Sequence, residues 1–397
     1  MEKSTYIVLQ SRGAEVPTAG TFSALNLRSR GLATEPEHLT LVEAEVDKRE
    51  IELLRKDSRT RAMAPAMPMK LIEPTAIDLG AAPAAQGPTW GVSAVGADSS
   101  PYDGNGVVVA VLDTGIKPDH PAFAGVNLQR QNFTQESDDD VHGHGTHCAG
   151  TIFGRDVNGT RIGVGRGVQK ALIGKVLGAG GGSSATIAKA IQWAVDEGAN
   201  VISMSLGIDF PGYVSWLVDQ KGMDIAPATS LALEGYRANV DLFNNVAGFV
   251  RSSAAFQQAS ILVAASGNES ARPQYEIAVG LPAAAVGFLA VGALQNGAAG
   301  MSVAEFSNTQ VGVAAPGVDI LSAGIAGGLA KMSGTSMAAP HVAGVAALWA
   351  HKMLDESGHL DPIALSSRVI ASGTLDPIVP SHRDFEDVGT GLVRAPQ

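Results

Sequence analysis

Short apolar runs alternate with amphipathic stretches over most of this chain. Four near-continuous apolar runs predict strands that are buried on both faces of a sheet: Val107–Leu112, Ala171–Val176, Val201–Ser205 and Ile261–Ala265. Between the second and third runs, apolar residues also fall on one stripe of a helix, at Ile187, Ile191, Ala194 and Val195. Strands that alternate with helices are typical of a mostly parallel sheet covered by helices, so we predict an α/β fold here.

The first part of the chain has a different pattern and a higher density of charged residues. Its predicted elements are two strands, a helix and a returning strand: Thr5–Gln10, Leu39–Val46, Lys48–Lys56 and Arg59–Ile72. The stretch that follows is rich in Ala and Pro, which is typical of an extended linker. We therefore predict a small α+β domain over residues 1–73, a linker over 74–89 and a larger domain over 90–397.

Composition narrows the function classes. The 397 residues carry a net charge of −11, which disfavours a nucleic-acid partner. With one cysteine, Cys148, no intrachain disulfide can form. The apolar run at the start is too short for a signal peptide, so the sequence as given predicts a cytoplasmic protein, with secretion by another route left open. The longest apolar stretch, Leu281 to Leu294, is too short to span a bilayer; we expect a buried strand and no membrane partner.

Three motifs carry candidate chemistry at the ends of predicted strands or the starts of predicted helices, where open α/β sheets place their ligands. Asp113 follows an apolar strand in Asp-Thr-Gly and could orient an imidazole. His144 lies in His-Gly-His-Gly-Thr-His and offers a general base. Ser336 begins an apolar helix in Ser-Gly-Thr-Ser-Met-Ala-Ala-Pro, where free N–H groups suit a developing oxyanion.

Each motif alone has another interpretation. Asp-Thr-Gly also begins pepsin-like aspartic proteases, but those need a second carboxylate motif, and the sequence has none. His142, His144 and His147 have a spacing that can bind zinc, although no carboxylate ligand lies beside them. Ser336 could be only a helix N-cap, and Cys148 is more typical of a small core residue than of a nucleophile.

The order Asp113, His144, Ser336 is the order of the subtilisin triad. From about Trp90 to Gly391 the chain resembles the subtilisin-like serine proteases, or subtilases. The resemblance implies a three-layer α/β/α fold with a mostly parallel sheet, and a serine endopeptidase that hydrolyses polypeptides without a cofactor. A catalytically silent peptide-binding module on the same fold is the alternative, and we would expect it to have lost a catalytic residue.

The resemblance also implies further site residues. Asn268, in Ala-Ala-Ser-Gly-Asn-Glu-Ser, matches the oxyanion-hole donor, and a cis peptide bond is expected at Pro282. Substrate-binding positions are expected in two strands that sandwich an extended peptide and in the walls of the pocket beside them: Gly181, Gly182, Ser205, Leu206, Gly207, Gly267 and Gly280.

The N-terminal domain resembles the inhibitory propeptide of the same family. If it acts as one, the protein is a zymogen, residues 69–86 lie over the cleft, and Ser336 cuts this segment. The alternative is a permanent accessory domain. The family often binds structural calcium near a loop that matches residues 154–159, but Ala122 stands where a carboxylate ligand is common, so calcium binding stays open.

Two further segments have open roles. An insertion around residues 210–258, helical from about Ser230 to Phe256, lies where it could restrict substrates or bind a partner, or it is only a surface helix. Its expected apolar face contains Leu231, Tyr236, Val240, Phe243 and Val250. The acidic run 138–140 is either a solvated surface or a site that favours basic residues in the substrate.

Overall fold

The computed structural model describes residues 3–11, 39–78, 86–255 and 257–397. The N-terminal domain begins with β1 (Ser4–Ser11), β2 (Leu39–Val46), α1 (Lys48–Lys56) and β3 (Thr60–Pro65). In its sheet, β1 lies between β2 and β3 and is antiparallel to both. A capping box starts α1: Asp47 accepts the Glu50 N–H, and Glu50 accepts the Asp47 N–H at 2.8 Å.

The predicted single strand over 59–72 is wrong, because the chain leaves the N-terminal sheet halfway along it. Strand β3 ends at Pro65, and β4 (Pro68–Leu71) pairs with strands of the larger domain instead. The prolines at 65 and 68 lack the N–H groups that a continuous ladder needs. A short strand, β5 (Ala76–Asp78), follows. Residues 79–85 of the predicted linker lie outside the described residues.

The larger domain contains the remaining elements. Its helices are α2 (Trp90–Ala94), α3 (His144–Phe153), α4 (Ser184–Asp196), α5 (Phe210–Asp219), α6 (Ile225–Ser253), α7 (Thr335–Ser357), α8 (Pro362–Ala371) and α9 (Phe385–Val388). Its strands are β6 (Gly87–Pro88), β7 (Val108–Asp113), β8 (Asn127–Asn132), β9 (Thr160–Arg161), β10 (Lys170–Lys175), β11 (Gly182–Ser183), β12 (Val201–Met204), β13 (Leu206–Ile208), β14 (Ile261–Ala265), β15 (Phe288–Gly297), β16 (Gly300–Val303), β17 (Val313–Pro316), β18 (Ile320–Ala323) and β19 (Leu329–Ser333). Two single-turn 3₁₀ helices cover Pro121–Phe123 and Pro380–His382.

The central sheet has the order β16-β15-β14-β12-β7-β10-β8, and β17 also pairs with β15. Its strand pairs are parallel except for β15 with β16. Strand β7 lies inside this sheet, and its successive residues point to opposite faces. Val109 and Val111 pack in one hydrophobic core with α3 and α7, while Ala110 and Leu112 pack in a second core with α4 and α6. This is the three-layer α/β/α arrangement that the sequence predicted.

The second core extends into the N-terminal domain. Ile7 and Leu9 of β1 are 2% exposed and belong to the same hydrophobic cluster as the buried residues of α4 and α6. The two domains therefore share a core, and the sheet of the N-terminal domain covers helices that would otherwise face water.

The insertion is more helical than predicted. Helix α5 was not predicted, and α6 begins before the expected start; Phe256, its expected end, lies outside the described residues. The buried face of the first half of α6 consists of small residues at Ala228, Ala232, Gly235 and Asn239. Leu231, an expected core residue, is 43% exposed. A periodicity search for large apolar residues does not detect a face made of small ones.

The apolar stretch from Leu281 is also not one strand. Residues up to Gly287 form a turn that contains a cis Leu281–Pro282 bond, which agrees with the expectation for Pro282, and β15 starts only at Phe288. Among the described residues, no helix has both the length and the apolar character that crossing a membrane requires.

Gly145 tests how closely α3 must approach the end of β7. A Cβ on Gly145 would lie 2.2 Å from the carbonyl oxygen of Gly115, which is backbone and cannot move aside. We expect Gly145→Ala to destabilise the protein by about 1–3 kcal/mol in thermal or urea unfolding. Gly248→Ala, in α6, is the matched control: its Cβ meets nothing within 4 Å, so it should stabilise α6 by about 0.5–1 kcal/mol. Equal effects of the two substitutions would contradict this packing.

Candidate active site

The carboxyl end of β7 places Asp113 beside the first residue of α3. Asp113 is 1% exposed, and its Oδ1 accepts the Thr114 N–H at 2.8 Å. His144 lies at the start of α3 and is fully buried, and its Nδ1 is 2.8 Å from the same Oδ1. An imidazole held through Nδ1 presents Nε2 to the other side, which is the geometry that a general base needs.

The electrostatics of this pair favour the charged imidazole. Burial is the largest single influence and lowers the pKa of His144, but the charge and hydrogen bond of Asp113 together with the contact to Cys148 outweigh burial and hold that pKa well above its usual range. Burial also raises the pKa of the neighbouring Cys148 thiol, whose Sγ lies 3.7 Å from His144 Nδ1. Cys148 is therefore a protonated, buried side chain packed under the imidazole.

Ser336 is the second residue of α7, so it lies at the helix N-terminus. Its Oγ is 3.4 Å from the sulfur of Met337, and His144 Nε2 has no hydrogen-bond partner among the described residues. The structure therefore holds the Asp113–His144 half of a triad, with the serine hydroxyl turned away from the imidazole. Such contacts often form only when substrate binds.

Asn268 stands next to the serine hydroxyl. A Cβ built on Gly334 would lie 2.8 Å from Ser336 Oγ and 2.9 Å from Asn268 Nδ2, so both atoms face one small space. Asn268 Oδ1 accepts the N–H and the hydroxyl of Thr335 at 2.9 and 2.8 Å. These two bonds turn the amide so that Nδ2 points toward the space above Ser336, as an oxyanion-hole donor must.

The predicted substrate-binding strands hold a segment of the chain itself. Strand β4 lies between β11 and β13 and is antiparallel to both. Met69 pairs with Gly182, Lys70 with Gly207 and Leu71 with Leu206. The N–H of Ile72 then donates to the Ser205 carbonyl at 3.3 Å. A Cβ on Gly181, whose φ is 78°, would lie 2.5 Å from the Met69 carbonyl, so this glycine allows the close approach.

The segment continues across the catalytic residues. Asn268 Nδ2 donates to the Glu73 carbonyl at 2.8 Å, and Pro74 Cα lies 3.6 Å from the Cβ position of Gly334. The N–H of Thr75 donates to the Ser333 carbonyl at 2.8 Å, and β5 pairs with β19. Residues 68–78, which we call the tail, therefore run through the groove in an extended form.

A pocket of about 490 Å³ opens beside this groove. Gly267, Gly280 and Leu206 line it together with Leu233 and Tyr236 of α6. Four of the predicted substrate-binding residues, Leu206, Gly207, Gly267 and Gly280, thus line one cavity, and the insertion forms part of its wall. Most of its lining is apolar, so it fits a large apolar side chain.

The three histidines of the second motif do not converge on one point. His147 Nε2 bonds to the Ile320 carbonyl at 2.9 Å, and burial lowers its pKa to about 3. His142 faces Glu73, with 3.6 Å between Nε2 and the carboxylate. Within the described part of the chain, one group has metal-ligand spacing, namely Asp113, His144 and Cys148, and two of its members are predicted triad residues. A zinc site at 142–147 does not fit this geometry.

The loop that matches a calcium site in the family has several of its backbone oxygens engaged within the chain. The Gly159 and Arg161 carbonyls accept N–H groups of Gly87 and Thr89. Val157 is buried and forms a tight turn with Thr160. With these oxygens engaged and alanine at 122, the contacts described at this loop add no support for a site with the roughly six to eight oxygen ligands that calcium needs.

Asp140 is a site residue that sequence analysis did not identify. Its carboxylate is buried and accepts five hydrogen bonds of 2.6–3.0 Å from backbone and side-chain donors: Thr114 Oγ1, His142 N, Gly143 N, Thr146 N and Thr146 Oγ1. It therefore holds the loop that delivers His144. Asp139 pairs with Arg130 at 2.8 Å. Asp139 and Asp140 thus have partners within the chain. The acidic run 138–140 is therefore not only a solvated surface and not only a substrate site.

Replacing Asp140 tests this positioning role. In Asp140→Ala the buried donors lose their acceptor, so we expect the free energy of unfolding to fall by about 2–4 kcal/mol. We also expect kcat to fall, because the loop that holds His144 loses these bonds. The control is Asp138→Ala, because Asp138 is exposed and bonds only to Asn132 among the partners described; its effect should stay within about 0.5 kcal/mol. Matching denaturation curves for the two variants would contradict the role.

Comparison with known proteins agrees with this geometry. The model of the Subtilase family matches residues 104–360, more than half of the chain. A subtilisin-like protease of Coccidioides posadasii is 34% identical over 307 residues, which cover 72% of this chain and 64% of that protein. The thermostable alkaline protease of Halalkalibacterium halodurans is 31% identical over 320 residues (79% and 73%), and the thermophilic serine proteinase of Bacillus sp. is 34% identical over 251 residues (62% and 52%). The chain thus spans from about half to about three quarters of the length of these relatives. It belongs to the Subtilase family.

Proposed function

We propose that this chain is a serine endopeptidase that cleaves polypeptides and that its own N-terminal domain inhibits it. The observation that carries the proposal is the tail: β4 pairs with both substrate-binding strands, and the Glu73 carbonyl accepts a hydrogen bond from Asn268. An extended substrate would occupy the same groove by the same main-chain pairing.

The residues support acyl transfer as follows. Ser336 Oγ attacks the scissile carbonyl while His144 Nε2 takes its proton, and Asp113 fixes the imidazole tautomer and stabilises the imidazolium. Asn268 Nδ2 and the Ser336 N–H hold the oxyanion. His144 then donates the proton to the leaving amine, and an acyl-enzyme remains. Water, deprotonated by the same imidazole, releases the acid. Ser336 must first rotate from the sulfur of Met337 toward His144.

The tail is a poor substrate in the observed register. The tail carbonyl that accepts from Asn268 Nδ2 is that of Glu73, so the bond placed for cleavage is Glu73–Pro74. Its leaving nitrogen would be the proline ring nitrogen, which has no N–H. The Ile72–Glu73 bond lies one residue earlier, and the Ile72 N–H already pairs with Ser205. A shift by one residue would bring that bond to Ser336. In the observed register the tail therefore blocks the groove.

Intact mass tests the triad and the tail together. We expect purified wild-type protein to lose its N-terminal domain by a cut within residues 69–86, because Ser336 attacks the tail. Ser336→Ala should stay whole. Ser357→Ala is a control on the same helix, since Ser357 is exposed at its far end, and it should process like the wild type.

If wild type and Ser336→Ala both stay whole, labelling with a fluorophosphonate distinguishes the remaining cases. Labelling of wild type but not of Ser336→Ala shows an active serine behind a permanent accessory domain, which contradicts the zymogen. A chain that labels in neither form, and cleaves no casein, is the silent peptide-binding module. Activity that survives in Ser336→Ala and disappears with a chelator would favour a metal hydrolase.

The pH dependence follows from the His144–Asp113 pair. His144 accepts a proton only when neutral, and Asp113 holds its pKa above the usual range. We therefore expect kcat/KM to be low in acid and to rise with pH through this pKa. In Asp113→Asn the attraction is lost, so burial should move the midpoint to lower pH and the rate should fall about 10⁴-fold. Profiles of both proteins from acid to alkaline pH check this, and an unchanged midpoint would rule the explanation out.

A further inference from the structure

Lys70 in the tail lies between two carboxylates at the edge of the groove. Its Nζ is 3.2 Å from Asp209 Oδ1 and 4.0 Å from Glu269 Oε1. Asp209 follows β13, and Glu269 follows the oxyanion-hole residue Asn268. The two acids thus come from segments on either side of the pocket, and one cation of the tail satisfies both.

Both carboxylates are held in place by contacts that do not involve Lys70. The side chain of Asp209 caps α5 by accepting the Gly212 N–H at 3.2 Å, a contact that lies outside the tail. Glu269 Oε2 accepts from Asn308 Nδ2 at 2.8 Å. The acids therefore keep their positions when the tail leaves, and their contact with Lys70 is lost.

We propose that Asp209 and Glu269 form an acidic subsite that selects a lysine or arginine at the substrate position that pairs with Gly207. The proposal rests on the protease function proposed above, because it treats the tail as a guide to substrate register. A peptide that takes the place of β4 puts its side chain at this position where Lys70 lies now. A cation there regains both attractions, a neutral side chain gains neither, and a carboxylate is repelled.

The selected basic residue lies either three or four residues before the cleaved bond. If the cut follows the residue whose N–H reaches Ser205, as Ile72 does, the basic residue is the third before the bond. If it follows the residue whose carbonyl reaches Asn268, as Glu73 does, the basic residue is the fourth. The side chains of Lys70, Asp209 and Glu269 are 43%, 31% and 45% exposed, so water and salt weaken the attraction and the selection is moderate.

Matched peptides test the subsite directly. The substrate is the sequence of residues 67–77 with alanine in place of Pro74, and its variants carry Lys, Arg, Gln or Glu at position 70. All four compete in one tube with the full chain as purified, so ratios of kcat/KM do not depend on the processed fraction. Mass spectrometry locates each cut. At low salt we expect the Lys and Arg peptides to be cleaved about fivefold faster than Gln and about tenfold or more faster than Glu.

Two enzyme variants and salt show whether the carboxylates cause the preference. Asp209→Asn with Glu269→Gln keeps the cap and the amide contact but removes both charges, so it should cleave the four peptides within about twofold of each other. Asp241→Asn with Glu356→Gln removes the same charge from exposed positions on α6 and α7 and should keep the preference. Raising salt to about 1 M should narrow the wild-type ratios.

Equal cleavage of the four peptides by wild type at low salt would overturn the subsite and leave the protease function intact. A preference that persists in the Asp209→Asn, Glu269→Gln variant would also overturn it. If casein is hydrolysed but none of the peptides is cut, the tail does not report substrate register, and the subsite fails with it. If neither casein nor peptide is cleaved and Ser336 takes no fluorophosphonate, the proposed function itself fails.

Discussion

The buried contact between Asp113 and His144 is the constraint on which the rest of the site depends. A carboxylate with 1% exposure is costly unless hydrogen bonds and an opposite charge compensate for lost water, and the imidazole supplies the charge. Asp113 is fixed because β7 lies inside the sheet, with β10 and β12 paired to either side. The position of α3 is then fixed as well, since its first residue must reach that carboxylate.

This constraint explains residues that take no part in proton transfer. Because Gly145 has no side chain, α3 can lie directly against the turn after β7. Thr114 Oγ1 accepts the Gly145 N–H at 2.9 Å and donates to Asp140, so one hydroxyl links the strand end, the helix start and the loop before it. Lys175, which is 2% exposed, donates to the carbonyls of Ser137 and Asp139 and holds the same loop from β10. The imidazole of His144 is therefore positioned by contacts from the turn after β7, from the loop before α3 and from β10.

A site residue or strand could be predicted from the sequence where its role is written in neighbouring residues, and it could not where the role comes from contacts that form on folding. Asp113, His144, Asn268 and Ser336 lie in long motifs, and strands such as β14 are continuous apolar runs, so both were visible. Asp140 was not, because its role comes from donors brought together by folding, and a short acidic run is usually only exposed charge. The division of 59–72 was missed because residues 62–69, which read Ala-Met-Ala-Pro-Ala-Met-Pro-Met, have one continuous apolar pattern, and only the tertiary pairing separates the two strands.

The contact between α6 and the N-terminal domain combines apolar packing with one buried polar atom that has no partner among the described residues. Asn239 is fully buried there and donates to the Pro65 carbonyl at 2.9 Å, but its Oδ1 has no partner within the part of the chain that the structure describes. A buried acceptor without a donor costs about 1–3 kcal/mol, and water restores its hydrogen bonds as soon as the domains part. Gly235 lets Pro65 and Met67 approach closely, so the contact at this end of α6 is made of small groups. Ile7 and Leu9 add the larger apolar area that the two domains bury in their shared core. The unpaired Asn239 Oδ1 therefore lowers the free energy that separating the two domains would cost at this contact, whereas the apolar core shared through Ile7 and Leu9 raises it.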